Sequence, residues 1–396
     1  MTSKHQFAGK YGRVKLSEIA RIKAGNVAPK KDAFTKDGVS FVRAGSLAKL
    51  LAGESLDSLE KIDVRTAREL RLTLFPKGTV VFAKSGMSCM TGNVYVLPDP
   101  CYVVSHLACV IPNGNYTAYL KHYFRFKRPN RLIENPSFPS IKLEKIRDIE
   151  LCLPSSEVID KQVQTLEHIE DQIKQMKAQL LHFKYLVKSR FVEMFGTASD
   201  KRCVFLPTEE VCEVVVDCPH ETPKYQGDLK YPAIRTSELV GTTICWDTMK
   251  YVSEDEYQKR TRRLKPRPGD VVYAREGTYG NAAVLPKGKS FCLGQRIMLF
   301  RVDSTVCLPE FFLYALTSTD VRKQADELNV GTTVPHVNVR DAKKFLIPIP
   351  PLSLQREFAD FVTQVDKLKF ETQQSIEKLQ TLYDSLAQEY FAPEGD

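Results

Sequence analysis

The sequence predicts a duplicated protein of mixed α/β class, in which two related domains are separated by two long antiparallel helices forming a coiled coil about a pseudo-twofold axis. Three observations carry this prediction. Segments of the first half recur in order in the second, short β-branched runs bounded by Gly and Pro fill each half, and each half closes on a heptad-like stretch without an internal Gly or Pro. The boundaries that follow are a first domain over 1–154, a first long helix over 155–196, a second domain over 197–350 and a second long helix over 351–392.

The repeat is read from five collinear matches. Residues 78–86 (GTVVFAKSG) align with 269–277 (GDVVYAREG) at an offset of 191. Residues 92–98 (GNVYVLP) align with 280–286 (GNAAVLP) at 188, so the first copy carries three extra residues in the intervening loop. Val42 and Arg43 match Ile234 and Arg235 at 192, as Glu18 and Ile19 match Glu210 and Val211. Near the end of each copy, residues 139–154 match 335–350 at 196. Drifting offsets in fixed order are what a duplication with loop insertions leaves behind.

Within each copy, runs such as 79–83, 94–97 and 271–274 have strand chemistry between turn residues. Residues 116–124 and 308–317 are apolar and aromatic at helical spacing, and their aromatics are expected in the core. After Pro154, Leu166, Ile169, Ile173, Met176, Leu180, Phe183 and Val187 advance in steps of three and four, with Met194 seven further on. After Pro351, Leu354, Phe358, Phe361, Val365 and Leu368, then Leu379, Leu382 and Leu386, are expected to do the same, with Thr372 and Ser375 interrupting the stripe. Neither stripe can be buried by its own helix, so antiparallel pairing is the simplest solution, with a domain at each end of a rod.

Composition narrows the function. The 396 residues are 43% hydrophobic and 10% aromatic, which excludes a disordered or collagen-like chain. No apolar run approaches about 18 residues and the first ten are polar, so neither a membrane span nor a secretory signal is expected, and the cytoplasm is the predicted location. Ten cysteines without a CxxC pair are expected to be reduced core thiols rather than zinc ligands. The net charge of +9 is uneven: residues 1–154 hold 25 basic against 13 acidic side chains, whereas 200–350 hold 22 against 20. The basic first domain suggests an anionic partner such as nucleic acid and should dominate salt-dependent attraction to phosphates.

Catalytic constellations are scarce. Residues 135–138 (NPSF) resemble the base-holding motif of amino-methyltransferases, but Ser stands at the third position, the second copy has Gly331-Thr332-Thr333-Val334 there, and no Gly-rich cofactor loop follows a strand. A Pro-rich turn is the plainer reading. No HExxH, GxxxxGK[ST] or nuclease-type acid pair occurs, and the seven histidines are dispersed, with His168 and His182 off the first helix's stripe. No catalytic residue, cofactor or metal is therefore expected, which favours a binding protein.

The order of these features carries a family likeness. Residues 347–352 (IPIPPL), followed by Gln355 and Arg356 at the entrance to a long helix, and the segment 269–277, are similar to the specificity subunit of type I restriction-modification systems and its target recognition domains. The first junction, 153–156 (LPSS), keeps one of the prolines. The resemblance implies a non-catalytic reader of double-stranded DNA in which each domain reads half of a bipartite target. It further implies helices that space the halves and dock two modification (methyltransferase) subunits, with a restriction subunit as a further partner. Two other classes stay open on the residues alone, namely a self-contained methyltransferase or nuclease and a coiled-coil scaffold that reads no DNA.

If the domains read different half-sites, the places to look are positions that align but differ. Lys84 and Arg275 form one such pair, His106 and Arg296 a second, and Ser140 and His336 a third. Arg43 and Arg235 are identical and better suited to phosphates or packing, while Tyr279 lies in the shorter loop of the second copy.

Overall fold

The computed structural model describes residues 12–196, 203–227, 230–329 and 336–392. The aligned stretch 331–335 and the polar first ten residues lie outside them. The chain divides into two units, one made of Met1–Lys177 with Gln374–Asp396 and the other of Ala178–Gln373.

Each unit is built on the same plan. In the first, an antiparallel sheet runs in the order Ala20–Ala24, Leu107–Pro112, Val80–Ala83, Val94–Val96. The second repeats it with Cys212–Asp217, Ile297–Val302, Val271–Ala274, Ala282–Val284. The β-branched runs read from the sequence are central strands here: Val80, Val81, Val271 and Val272 are fully buried, as a strand covered on both faces requires. A second sheet in each unit holds one parallel pair, Val39–Val42 with Cys101–Val103 and Tyr231–Ile234 with Cys292–Leu293. A two-stranded ribbon, Arg13–Lys15 with Glu150–Cys152 and Val204–Pro207 with Leu346–Ile349, leads into each long helix. The aromatic segments form the helices Thr117–Lys127 and Pro309–Leu316, and Tyr119, Phe124, Phe311 and Phe312 are core residues.

The long helices are Ser156–Phe195 and Leu352–Phe391. On the first, the predicted stripe is the inward face: Leu166, Ile169, Ile173 and Val187 are buried, and Met176, Leu180, Phe183 and Met194 half-buried. On the second, Phe358 and Val365 are buried, with Phe361, Leu379 and Leu386 half-buried. Leu354, Leu368 and Leu382, however, are 39%, 46% and 47% exposed, which corrects the predicted stripe. Each lies one residue, about 100° of helical rotation, before an inward position. Those positions are Gln355, Lys369 and Tyr383, which with Val362, Thr372, Ile376 and Ala387 keep the three-four rhythm unbroken. Gln355 is buried because its amide is fully used: Oε1 accepts from the backbone of Leu308 at 2.9 Å, and Nε2 donates to the carbonyls of Val306 and Pro350 at 3.0 and 2.9 Å.

Where helices meet domain, the two units use different chemistry. In the unit with the first domain, the fully buried His122 has Nδ1 2.7 Å from the Tyr383 hydroxyl. Beside them Lys121 Nζ donates to Glu170 at 3.0 Å, and Arg125 also pairs with Glu170. Burial, aided by Lys121 and Arg125 against the opposing pull of Glu170, brings His122 down to about 3. Burial works against the Glu170 carboxylate, yet Arg125 and Lys121 outweigh it and hold the group below its ordinary value. In the other unit the corresponding joint is a packed set of rings, with Phe195 and Phe311 centroids 4.9 Å apart and Phe191 and Phe358 5.4 Å apart.

Candidate nucleic-acid interface

The positions singled out from the repeat converge on one backbone frame, present once in each domain. In the first, the Lys84 N–H donates to the His106 carbonyl at 2.9 Å and the Lys84 carbonyl accepts from Ile141 at 2.7 Å. In the second, Arg275 donates to the Arg296 carbonyl and accepts from Val337, both at 2.9 Å. One residue on, Ser85 bridges to Ser140 and Glu276 to His336 in isolated antiparallel pairings. Gly86 and Gly277 follow with φ of +77° and +68°, left-handed conformations that turn the chain away from the strand. Thus three of the aligned pairs, Lys84/Arg275, His106/Arg296 and Ser140/His336, lie together on this frame.

The side chains on the frame differ. In the first domain Ser85 Oγ and His106 Nδ1 are 2.7 Å apart, a hydrogen bond at an exposed turn. In the second, Glu276 carries charge to both neighbours: Arg296 Nε lies 3.0 Å from Oε2, and Arg275 Nη2 3.4 Å from Oε1. Arg275 Nη1 in turn meets Asp217 at 3.1 Å. The Arg296 side chain is 60% exposed and that of Arg275 only 14%, so Arg275 is a buttress and Arg296 the group offered to solvent.

The remaining candidates stand elsewhere. Arg43 Nε donates to Glu60 at 2.6 Å and its guanidinium lies over the rings of Phe34 and Phe41. Arg235 clasps the fully buried Glu238, reaches the Thr248 carbonyl at 2.9 Å and covers Tyr225. Both have the surroundings of packing residues. The Tyr279 hydroxyl donates to Asp326, and its ring lies under the Arg322 guanidinium at 3.8 Å, which fixes it against the helix Thr319–Glu327. Ser85 and Glu276, aligned at the same offset of 191, stand beside the cations and carry no distinguishing signal in the sequence. Arg262 and Arg263 are exposed within the basic run 260–267 (RTRRLKPR).

Nothing in this arrangement resembles a catalytic centre. Asn135 Oδ1 accepts from the Ser137 N–H at 3.0 Å, so the NPSF segment is a side-chain-closed turn, with Phe138 exposed. His168 bonds locally to Gln172. Among the described residues no group of His, Cys, Asp and Glu could hold a metal ion, and no helix is long and apolar enough to cross a membrane. Six of the ten cysteines are buried, Cys89, Cys101, Cys109, Cys218, Cys292 and Cys307.

A frame repeated in both domains and bearing unlike polar groups suits a protein of the recognition class. Comparison with known proteins makes the class specific. The family model of the type I restriction modification DNA specificity domain matches residues 9–182 and again 207–381. The chain therefore belongs to that family, as a non-catalytic specificity subunit whose role is DNA recognition within a type I restriction-modification complex. It is 21% identical over 353 residues to the type I restriction enzyme MjaIX specificity subunit of Methanocaldococcus jannaschii, covering 82% of this chain and 79% of that one. To the MjaVIII specificity subunit of the same organism it is 27% identical over 143 residues, 34% of this chain and 33% of the relative. The fold matches the S subunit of a type I restriction-modification system from M. genitalium at a TM-score of 0.54 and 12% identity, with each chain covered in full. A structure described as the basis of assembly and conformational transition of the type I R-M system matches at 0.59 and 16% identity, covering 98% of each chain.

Proposed function

We propose that each domain reads one half of a bipartite double-stranded DNA target and that the two long helices dock two modification subunits, with a restriction subunit as a further partner, in the cytoplasm. The observation that carries this reading is the frame around Lys84 and Arg275: the same backbone hydrogen bonds occur in both domains and bear different side chains. A methyltransferase that flips its base out of the stack needs a separate group to choose that base, and choice is exercised mainly through side chains in the major groove. Two copies of one scaffold with unlike side chains suit two unlike half-sites.

The test is to express the chain with its modification subunit and sequence the methylated sites, then replace residues 200–350 with the equivalent domain of a relative. One half of the motif is expected to change while the other stays. Simultaneous change of both halves would overturn the division of labour, and methyl transfer by the purified chain alone would overturn the dependence on a partner.

A further inference from the structure

Resting on that reading, we infer that Arg296, aimed by Glu276, is the guanine reader of the second domain, and that His106, held by Ser85, is its counterpart in the first. Three features of the turn lead there.

The first is rigidity. Arg296 immediately precedes the strand Ile297–Val302, whose residues Ile297 and Met298 are fully buried, and its carbonyl is tied to Arg275. A side chain meant to read a base must be held to a fraction of an ångström, and the end of a central strand does this better than a free loop. The second is strain. Arg296 has φ of +64°, a region that residues with a Cβ seldom occupy. Glycine would sit there without cost, yet this position carries a long, exposed, charged side chain, the pattern expected where a side chain is needed outside the protein.

The third is how the guanidinium is used. Its Nε faces Glu276 at 3.0 Å, which leaves Nη1 and Nη2 as the remaining fork. Two parallel N–H groups match O6 and N7 of guanine, the commonest specific contact in the major groove. Charge balance points the same way. Asp217, Arg275, Glu276 and Arg296 form an alternating chain of two carboxylates and two guanidiniums that balance one another, with His220 Nε2 3.8 Å from Asp217 at its far end. A charge-balanced array is a weak attractor of phosphate but a good orienter of directional hydrogen bonds. At the corresponding place His106 has Nδ1 engaged with Ser85, so only Nε2 remains and the contact is single. The frame thus offers a two-point reading in one half-site and a one-point reading in the other.

The experiment uses the full chain with its modification subunit. In sites methylated by R296A, one guanine position of the half-site that follows residues 200–350 is expected to become degenerate, with the other half-site unchanged. E276Q should relax that same position and no other. Independently of whether these variants fold, 7-deazaguanine placed at each guanine of that half-site should weaken binding by the unaltered complex about ten- to hundredfold at one position. An unchanged motif in R296A, a half-site without guanine, or indifference to 7-deazaguanine throughout would overturn the assignment while leaving the division into half-sites standing. An unaltered complex that recognises no defined sequence would bring down both.

Discussion

The two joints between long helices and domain occupy corresponding places and both pack aromatic rings, but in the first a buried histidine and a charged cluster sit among them. At an offset of 192, His122 corresponds to Tyr314 and Lys121 to Leu313; at 196, Glu170 corresponds to Asp366, Gln162 to Phe358 and Phe391 to Phe195. The unit with the second domain closes on packed rings in edge-to-face contact, with no ionic group among them. The other adds to rings of its own, Tyr119 and Tyr123 against Phe391, a polar cluster of His122, Tyr383, Glu170, Lys121 and Arg125, in which the buried His122 Nε2 has no hydrogen-bond partner. The difference teaches that a duplication can keep its backbone and still make its joints non-interchangeable: a helix end that suits the rings leaves the charges unpaired, and the converse buries charge among rings.

The sharpest way to break this comparison is to shorten the same position in both joints. Phe358→Ala removes a fully buried ring from the aromatic joint and is expected to cost about 3–5 kcal/mol. Gln162→Ala, its counterpart, removes a half-buried amide whose Oε1 is buried without a partner, and should cost under about 1 kcal/mol. Hydrogen exchange on the full chain reads both, in residues 203–349 for the first and 12–153 for the second; equal losses would mean the joints are energetically alike.

A smaller effect is expected from Glu170→Ala, which strips Lys121 and Arg125 of their shared partner. Hydrogen bonds to charged groups contribute about 1.5–3 kcal/mol, and with Arg125 about a third exposed the lower end applies. Chemical denaturation should show it, and a loss no greater than that of an exposed pair such as Arg65–Glu69 would show the cluster to be ornamental.

The gentlest probe is pH. His122 titrates near 3 in the folded chain against an ordinary value of 6.5, so on acidification the unfolded chain takes up the proton first. The stability it lends is complete above about 6.5 and is lost progressively toward 3, at up to about 1.4 kcal/mol per pH unit. Compared with His122→Tyr, which installs the side chain of the other joint, the unaltered protein should lose stability more steeply between about pH 6.5 and 5. That interval lies above the titration of Glu170, already held low, so parallel slopes would mean that His122 is not kept neutral by burial.

What could be read from the sequence follows the same division. The stripe on the first long helix was legible because its positions from 166 to 187 are ordinary apolar residues, although the half-buried Glu170 beside them meets Lys121 and Arg125. The second was misread at Leu354, Leu368 and Leu382 because inward places are held by Gln355, Lys369, Thr372 and Tyr383. Gln355 and Tyr383 are buried through hydrogen bonds to residues 47 and 261 positions away, Leu308 and His122, and such partners leave no local periodicity. The frame around Lys84 and Arg275 was legible by alignment, since a duplicated strand and turn keep register. The roles of Arg275 and Arg296 were not, because Arg275 is held by Asp217, 58 residues away, and Arg296 by Glu276, contacts made only after folding.

The division of the chain also bears on the order in which it can fold during synthesis. The unit Ala178–Gln373 is continuous, so everything it needs has been made once the ribosome passes its end. The other unit is discontinuous and waits for Gln374 onward, because Tyr383 and Phe391 supply its core. At about 5–20 residues per second, the basic first domain is exposed without its second helix for roughly 10–40 s. The part of the protein translated first is the part completed last, and a premature stop just before residue 374 would remove nothing from the later domain while leaving the earlier one permanently open.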